Sequence, residues 1–224
     1  TSIDLRVQYL AYRELKAAMF EHSASSGSMV ILDIPTGDVL AMVNYPSFNP
    51  NARNNGDIAA RRNRAVTDLF EPGSVMKAFT VAAGLESGKI TPDTVIDTYP
   101  GTLQVRNHLV RDIRNFGPLT PGGLLMKSSN VAATKIALEL DNDHLYDVFH
   151  RFGFGSATGC GFPGESIGTL PEPGGWGQVE KATLSYGYGL SVNALQLAQA
   201  YAAIADGGRL HTPRFVRDQM TAEP

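Results

Sequence analysis

The sequence has one cysteine, Cys160, among its 224 residues, and neither sign of charge predominates. A single cysteine excludes an internal disulfide, so the cysteine content is neutral about the redox compartment. No base lies near Cys160 in the sequence, which argues against a thiol nucleophile. The net charge of -3 lacks the excess of lysine and arginine that nucleic-acid phosphates require, so no nucleic-acid partner is predicted.

Long apolar runs and histidine clusters are also lacking. No run approaches the roughly 18 to 20 apolar residues of a membrane-spanning helix, and the chain starts at Thr1 without a signal-like segment. The five histidines are scattered, and no pair has the close helical spacing of a zinc site. What is present is a chain that is 43% hydrophobic, enough for a sizeable globular core and with no predicted metal.

The first third of the chain contains a helical pattern and then a hairpin pattern. Apolar residues recur at helical spacing over residues 4–20, and Asp4 is suited to cap that helix. Two short apolar runs, 29–34 and 39–43, flank a Pro-Thr-Gly-Asp turn and predict a β-hairpin. Residues 44–64 carry little periodicity and are predicted to be a long connection.

The remainder predicts helices separated by turns and loops. Residues 74–85 form an almost uncharged apolar run after Pro72-Gly73 and predict a mostly buried helix. The other predicted segments are short strands and turns over 89–120, helices at 119–125, 129–140 and 195–205, and a loop-rich stretch at 151–177.

Ser74 and Lys77 form an S-x-x-K motif at the start of the predicted buried helix. An acyl-transferring serine needs a base within hydrogen-bond reach, and residues three apart on a helix share a face. Burial and the positive end of the helix would both favour a neutral Lys77. Fourteen serines and six lysines would give about 0.4 such matches by chance, so the motif alone also fits a capping serine and a surface lysine.

A second element, Ser128-Ser129-Asn130, begins the helix predicted at 129–140. The pattern S-x-N also occurs at 47–49 and 191–193, so its position after S-x-x-K is what gives it weight. S-x-x-K followed by a serine-asparagine element is typical of penicillin-binding proteins and serine β-lactamases.

The residues around both motifs closely resemble class B penicillin-binding proteins. Within that class, the resemblance is to the septal, division-specific transpeptidase of Gram-negative bacteria, penicillin-binding protein three type. It rests on residues 70–77, 127–131 and 186–192, and extends to 36–42, 46–50, 62–64 and 162–165. It implies an α/β fold in the broad sense, α+β, in which an antiparallel sheet is covered by helices as in β-lactamases and DD-peptidases.

The resemblance also implies residue roles. Ser74 would be the acylated nucleophile, Lys77 its base, and Ser128 a proton relay to the leaving D-alanine. Asn130 would hold the substrate amide.

Tyr186 and Tyr188 would line the pocket wall, although both also fit as core aromatics. Glu71 fits equally as an electrostatic support for Lys77 or as an exposed loop carboxylate.

Further implications concern ligands and location. The substrates would be peptidoglycan stem peptides, β-lactams would be covalent inhibitors, and no cofactor would be needed. The domain would be periplasmic, on a protein anchored in the inner membrane, with divisome membrane proteins as partners.

One family element, K-[TS]-G, is missing. None of the six lysines is followed by this pattern. We therefore expect residues 1–224 to be the amino-terminal and central part of a transpeptidase domain that ends before the K-[TS]-G strand. Thr1 is expected to be a fragment boundary, and the hairpin is expected to present an unpaired edge where later strands belong.

Two alternatives stay open. A serine β-lactamase would need a glutamate to activate water, and Glu165 lies at a suitable distance after Ser128, although Thr169 replaces the asparagine that accompanies such a glutamate. A non-catalytic β-lactam receptor domain would share the acylation step and differ in the sequence that flanks it.

Overall fold

A computed structural model describes residues 1–51 and 58–217. Residues 52–57, in the middle of the predicted long connection, lie outside this description. The described chain divides into two compact units. Among the described residues, the first comprises 1–51, 58–69, 156–167 and 192–217, and the second comprises 70–155 and 168–191.

Helices and short antiparallel strand pairs make up both units. The α-helices are α1 (Leu5–Glu21), α2 (Arg64–Thr67), α3 (Lys77–Glu86), α4 (Pro121–Lys127), α5 (Asn130–Glu139), α6 (Asn142–Arg151), α7 (Gln178–Leu184) and α8 (Ala194–Ala205). The strands are β1 (Gly27–Leu32), β2 (Val39–Tyr45), β3 (Ile96–Asp97), β4 (Thr102–Val105), β5 (His108–Arg111) and β6 (Pro118–Leu119). Short 3₁₀ turns occupy Ile58–Arg61, Gly73–Met76 and Pro173–Gly175.

The first unit is built on the β1–β2 hairpin. Its strands pair antiparallel with an irregularity between Ile31 and Leu32, and α1 packs across β2. The core between them consists of alternate residues of β2 and one stripe of α1: Ala11, Leu15, Met19, Ala41 and Val43. Asp4 caps α1 by accepting from the backbone N–H groups of Arg6 and Val7, as predicted.

Of the two outer edges of the hairpin, that of β1 pairs with no further strand among the described residues, as expected. The edge of β2, in contrast, is satisfied by other groups. Asp4 N–H donates to the Leu40 carbonyl at 3.0 Å, and the Gln8 side-chain amide bonds both the N–H and the C=O of Met42, at 2.8 and 2.9 Å. The start of α1 thereby satisfies this edge, which the sequence pattern did not indicate.

The second unit packs helices around α3 and α5. Phe79 of α3 is fully buried and meets Phe152 and Phe154 edge to face, with ring centroids 4.9 Å apart in both pairs. The hairpin β4–β5 contributes Val105 and Val110 to a second cluster. Helices α3, α5, α6 and α7 pack on one another in this unit.

Antiparallel strands with covering helices confirm the predicted fold class. Helices α1, α3, α5 and α8 were predicted within a few residues, and the hairpin was predicted with shifted strand ends. The helix predicted at 119–125 was wrong at its start, because Leu119 belongs to β6 and the Thr120 side chain caps a helix that begins at Pro121. Helices α2, α6 and α7 were not predicted.

No helix in the described ranges has the length and apolar character needed to cross a bilayer.

Candidate active site

Ser74 lies in the 3₁₀ turn Gly73–Met76, which leads directly into α3 at Lys77. In a 3₁₀ turn, side chains three residues apart eclipse one another, so this turn aligns Ser74 with Lys77 better than an α-helical turn would. The Lys77 Nζ donates to Ser74 Oγ at 2.9 Å. Ser74 is exposed, whereas the Lys77 side chain is only 1% exposed, so the hydroxyl is accessible and the amine is not.

Ser128 stands at the corner between α4 and α5. It is the C-cap of α4 in the left-handed conformation, with φ 55° and ψ 45°, and Ser129 is the N-cap of α5. A left-handed serine is uncommon and costs backbone energy. This conformation accompanies two contacts to Lys77, whose Nζ donates to the Ser128 carbonyl at 2.7 Å and to Ser128 Oγ at 2.9 Å.

The Lys77 amine therefore joins the two serines that the sequence analysis placed in separate motifs. Burial lowers the pKa of Lys77 from 10.5 to about 8, and the charge of Asp112 opposes that shift. Neutral lysine is a minority species at pH 7 and the major species above about pH 8. An amine of this pKa can take a proton from one hydroxyl and pass it to the other.

Asn130 is the first residue of α5, and its side-chain amide donates to the Arg111 carbonyl at 3.0 Å. That bond uses one of the two N–H groups of the side chain, so a second N–H and the amide oxygen are available to a ligand.

The two tyrosines occupy different environments. Tyr186 is 7% exposed, packs with Val105, Val110 and Val131, and its hydroxyl lies 3.3 Å from His108 Nε2. Tyr188 is 51% exposed, with its ring 5.9 Å from that of Tyr186. Tyr186 thus packs as a core aromatic would, and Tyr188 presents its ring to solvent; their pocket roles stay predictions.

The segment 185–189, called here the tyrosine loop, is bonded at three places: to α3, to the 3₁₀ turn Gly73–Met76, called here the nucleophile turn, and to Glu71 before that turn. Thr80 Oγ1 donates to the Ser185 carbonyl at 2.8 Å, and Gly73 N–H donates to the Gly187 carbonyl at 3.0 Å. Gly189 N–H donates to a Glu71 carboxylate oxygen at 2.9 Å. The Glu71 carboxylate is therefore engaged with the tyrosine loop, and the carboxylate that acts on Lys77 is Asp112.

Asp112 and Thr80 were missed by the sequence analysis. Asp112 follows β5 and accepts from the Ser129 hydroxyl at 2.7 Å. Neither residue belongs to a short motif, and each acts on a partner far away in the sequence, so no local pattern marks them.

No group of three or more histidine, cysteine or acidic side chains suited to a metal ion occurs in the two described ranges.

The penicillin-binding protein transpeptidase domain model matches residues 27–223, which include all the residues above. The chain belongs to this family. It is 41% identical over 217 residues to the probable peptidoglycan D,D-transpeptidase PbpC of Pseudomonas aeruginosa, covering 97% of this chain and 38% of that protein. It is 44% identical over 207 residues to the peptidoglycan D,D-transpeptidase FtsI of Escherichia coli, covering 92% and 35%.

A solved structure agrees with this assignment. The apo transpeptidase domain of Burkholderia pseudomallei penicillin-binding protein 3 matches with a TM-score of 0.89 and 41% identity, covering 100% of this chain and 62% of that one. The resemblance to class B proteins of the penicillin-binding protein three type is thereby confirmed. The chain spans little more than a third of the two curated relatives.

Gly187 is the residue of the tyrosine loop that bonds to Gly73, next to the nucleophile. Its φ is 90°, and a Cβ there would lie 2.0 Å from the Gly73 carbonyl oxygen. We expect Gly187→Ala to displace the turn that carries Ser74 and to slow acylation by a penicillin on the order of 10²-fold, as a misplacement of about 1 Å does. Stopped-flow labelling with a fluorescent penicillin measures this rate.

Gly189→Ala is the matched control. Gly189 has almost the same φ, 87°, but a Cβ there meets nothing closer than 3.8 Å. If both variants were acylated equally slowly, the loss of rate would come from backbone strain at a positive φ and not from the close approach to Gly73.

Proposed function

We propose that this chain carries the nucleophile, base and proton relay of a peptidoglycan D,D-transpeptidase. The observation that carries the proposal is the Lys77 Nζ, buried and 2.9 Å from both Ser74 Oγ and Ser128 Oγ. Two relatives that share over 40% identity are named as D,D-transpeptidases. The chain would form the amino-terminal and central part of such a domain, since it covers 62% of the Burkholderia domain.

In the first half-reaction, neutral Lys77 takes the proton of Ser74 as Oγ attacks the carbonyl carbon between the two D-alanines of a stem peptide. A C–O bond forms, the C–N bond breaks, and the leaving amine receives a proton through Ser128. Free D-alanine and an acyl-serine result. Asn130 would hold the substrate amide, and Tyr188, exposed beside Tyr186, would line the pocket wall.

In the second half-reaction, an amine of a neighbouring strand attacks the acyl carbon. The new C–N bond replaces the C–O bond, the amine loses a proton to the Lys77–Ser128 pair, and Ser74 recovers its proton. A β-lactam would follow the first half only, because its opened ring stays attached and cannot leave as D-alanine does.

The cellular setting proposed is septal cell-wall synthesis. The domain would be periplasmic, on an inner-membrane-anchored protein, with divisome membrane proteins as partners. The 44% identity to FtsI and the residues shared with the septal class support this.

The proposal predicts a long-lived penicillin adduct on Ser74 in the protein that contains this chain. Peptide mapping by mass spectrometry should locate the adduct, and it should persist for hours. With an acyl-D-alanyl thioester as donor and D-alanine as acceptor, an amide product should form, which a receptor domain would not yield.

Rapid turnover of nitrocefin would contradict the proposal and favour a β-lactamase. The glutamate considered for that role, Glu165, accepts from the Thr158 N–H at 2.9 Å and lies 3.5 Å from the Cys160 sulfur.

A further inference from the structure

Asp112 satisfies the first donors of α5. One carboxylate oxygen accepts from the backbone N–H groups of Asn130 at 2.6 Å and Val131 at 3.0 Å, and the other accepts from the Ser129 hydroxyl at 2.7 Å. The next N–H, that of Ala132, donates to Ser129 Oγ at 3.0 Å. The start of a helix leaves such N–H groups without intrahelical partners, so Asp112 supplies from β5 what the sequence of α5 does not.

These bonds fix the residues on either side of Ser129. Ser129 is fully buried, and Ser128 and Asn130 flank it. Asn130 is held a second time, through its side-chain bond to the Arg111 carbonyl next to Asp112. Two consecutive residues at the end of β5 therefore set where α5 begins, and with it where Ser128 meets Lys77.

The same carboxylate also acts on Lys77. Burial lowers the pKa of Lys77, and the negative charge of Asp112 raises it. The other ionisable groups on α3, α4, α5, β5 and the adjoining loops include Glu71, Glu86, His108, Arg111, Lys127, Lys135, Glu139 and the hydroxyls of Tyr186 and Tyr188. His108 is the histidine of this set, and its ring lies 3.3 Å from the Tyr186 hydroxyl. Glu71 is occupied by the Gly189 N–H.

We propose that Asp112 is a positioning residue of the acyl-transfer site: its bonds to Ser129, Asn130 and Val131 hold the α4–α5 corner so that Ser128 meets Lys77, and they place a negative charge at that corner. The inference deepens the proposed function and rests on it. The Asp112 carboxylate has two tasks: its hydrogen bonds hold the α4–α5 corner, and its negative charge acts on the Lys77 amine. Two substitutions distinguish these tasks.

Asp112→Asn removes the charge but keeps an oxygen that can accept the two backbone N–H groups. Without the charge, the pKa of Lys77 falls further, and the neutral base forms at lower pH. In the wild-type protein, acylation by a fluorescent penicillin should rise about tenfold per pH unit up to about pH 8 and then level off. In Asp112→Asn the midpoint should move to lower pH, so that the ratio of the rate at pH 7 to that at pH 9 increases.

Asp112→Ala removes the charge and also the three hydrogen bonds to Ser129, Asn130 and Val131. Its rate at pH 9 should fall by about 10- to 100-fold, because the corner that carries Ser128 loses three bonds. Asp147→Asn is the charge-matched control, since Asp147 pairs on an exposed face of α6 with Arg151. That variant should keep both the rate and the midpoint.

A direct titration keeps this test independent of the proposed function. The Lys77 amine can be followed by NMR of ¹³Cε-labelled lysine in the wild-type protein and in Asp112→Asn, with Lys77→Arg identifying the signal. A lower pKa of Lys77 in Asp112→Asn would support the inference even if no penicillin reacts with the protein. The failure of penicillin to react would overturn the proposed function and leave the role of Asp112 standing. An unchanged pKa, or a pH midpoint that does not move, would overturn the effect of the Asp112 charge on Lys77. An Asp112→Ala rate at pH 9 equal to that of the wild-type protein would overturn the positioning role.

Discussion

Replacing Ser74 by alanine is expected to abolish covalent labelling by a penicillin and to leave the protein folded. Ser74 is exposed, and no side chain caps the turn that contains it. The substitution removes one hydrogen bond from Lys77, worth about 1 kcal/mol, and Lys77 keeps both bonds to Ser128. Intact-mass spectrometry after incubation with penicillin, together with a thermal melt, measures both effects.

Ser87→Ala is a suitable control for Ser74→Ala. Ser87 is the C-cap of α3, the helix that follows the Ser74 turn, and its hydroxyl donates to the Gly84 carbonyl. The control should be labelled as fast as the wild-type protein. A labelled Ser74→Ala protein would show that the nucleophile lies elsewhere.

Replacing Lys77 by alanine should lower the acylation rate by about 10²- to 10⁴-fold, the usual contribution of a positioned base. Because Lys77 is buried, alanine also leaves a cavity, so Lys77→Met is the better-packed companion. We expect the acylation rate of Lys77→Met to fall as far as that of Lys77→Ala, while its free energy of unfolding changes by less than about 2 kcal/mol. Acylation kinetics measure the rate, and urea unfolding measures the free energy of unfolding.

Lys181→Met separates loss of chemistry from loss of a buried amine. Lys181 is also buried, burial lowers its pKa, and its amine donates to the Leu140 carbonyl at the end of α5. This variant should change stability and leave the acylation rate within about threefold. If Lys77→Met and Lys181→Met lost rate and stability in the same proportion, Lys77 would be a structural lysine.

The contact between Ser74 and Lys77 could be predicted because it is local. The three-residue spacing and the Pro-Gly turn before Ser74 are enough to predict that the two side chains touch. They do not predict that the turn is a 3₁₀ turn. The approach of Ser128 to Lys77 could not be derived from spacing, since it depends on the left-handed C-cap of α4 and on the packing of α3 against α4 and α5. For Ser128, the resemblance indicated a neighbour of Lys77 that spacing alone did not, and the role of Asn130 stays a prediction.

The helices that were missed had different causes. In α6, the buried residues Leu145, Val148 and Phe149 recur at helical spacing, so the sequence does carry a helical signal there. Helix α7 is only seven residues long, and its sequence carries little periodicity. Its buried residues Ala182 and Leu184 belong to a helix that packs against α5 and β4, and the sequence alone does not show that these elements are neighbours.

Three hydrogen bonds join the tyrosine loop to α3, to the nucleophile turn and to Glu71, so we expect these segments to unfold locally as one unit. Residues 71–80 and 185–189 are far apart in the chain, yet Thr80, Gly73 and Glu71 each bond the loop through its backbone. Full opening of the loop would break all three bonds, so we expect the fluctuations of Tyr188 and of Ser74 to be coupled. A substrate that orders the loop would thereby reduce the motion of the nucleophile before any bond is made.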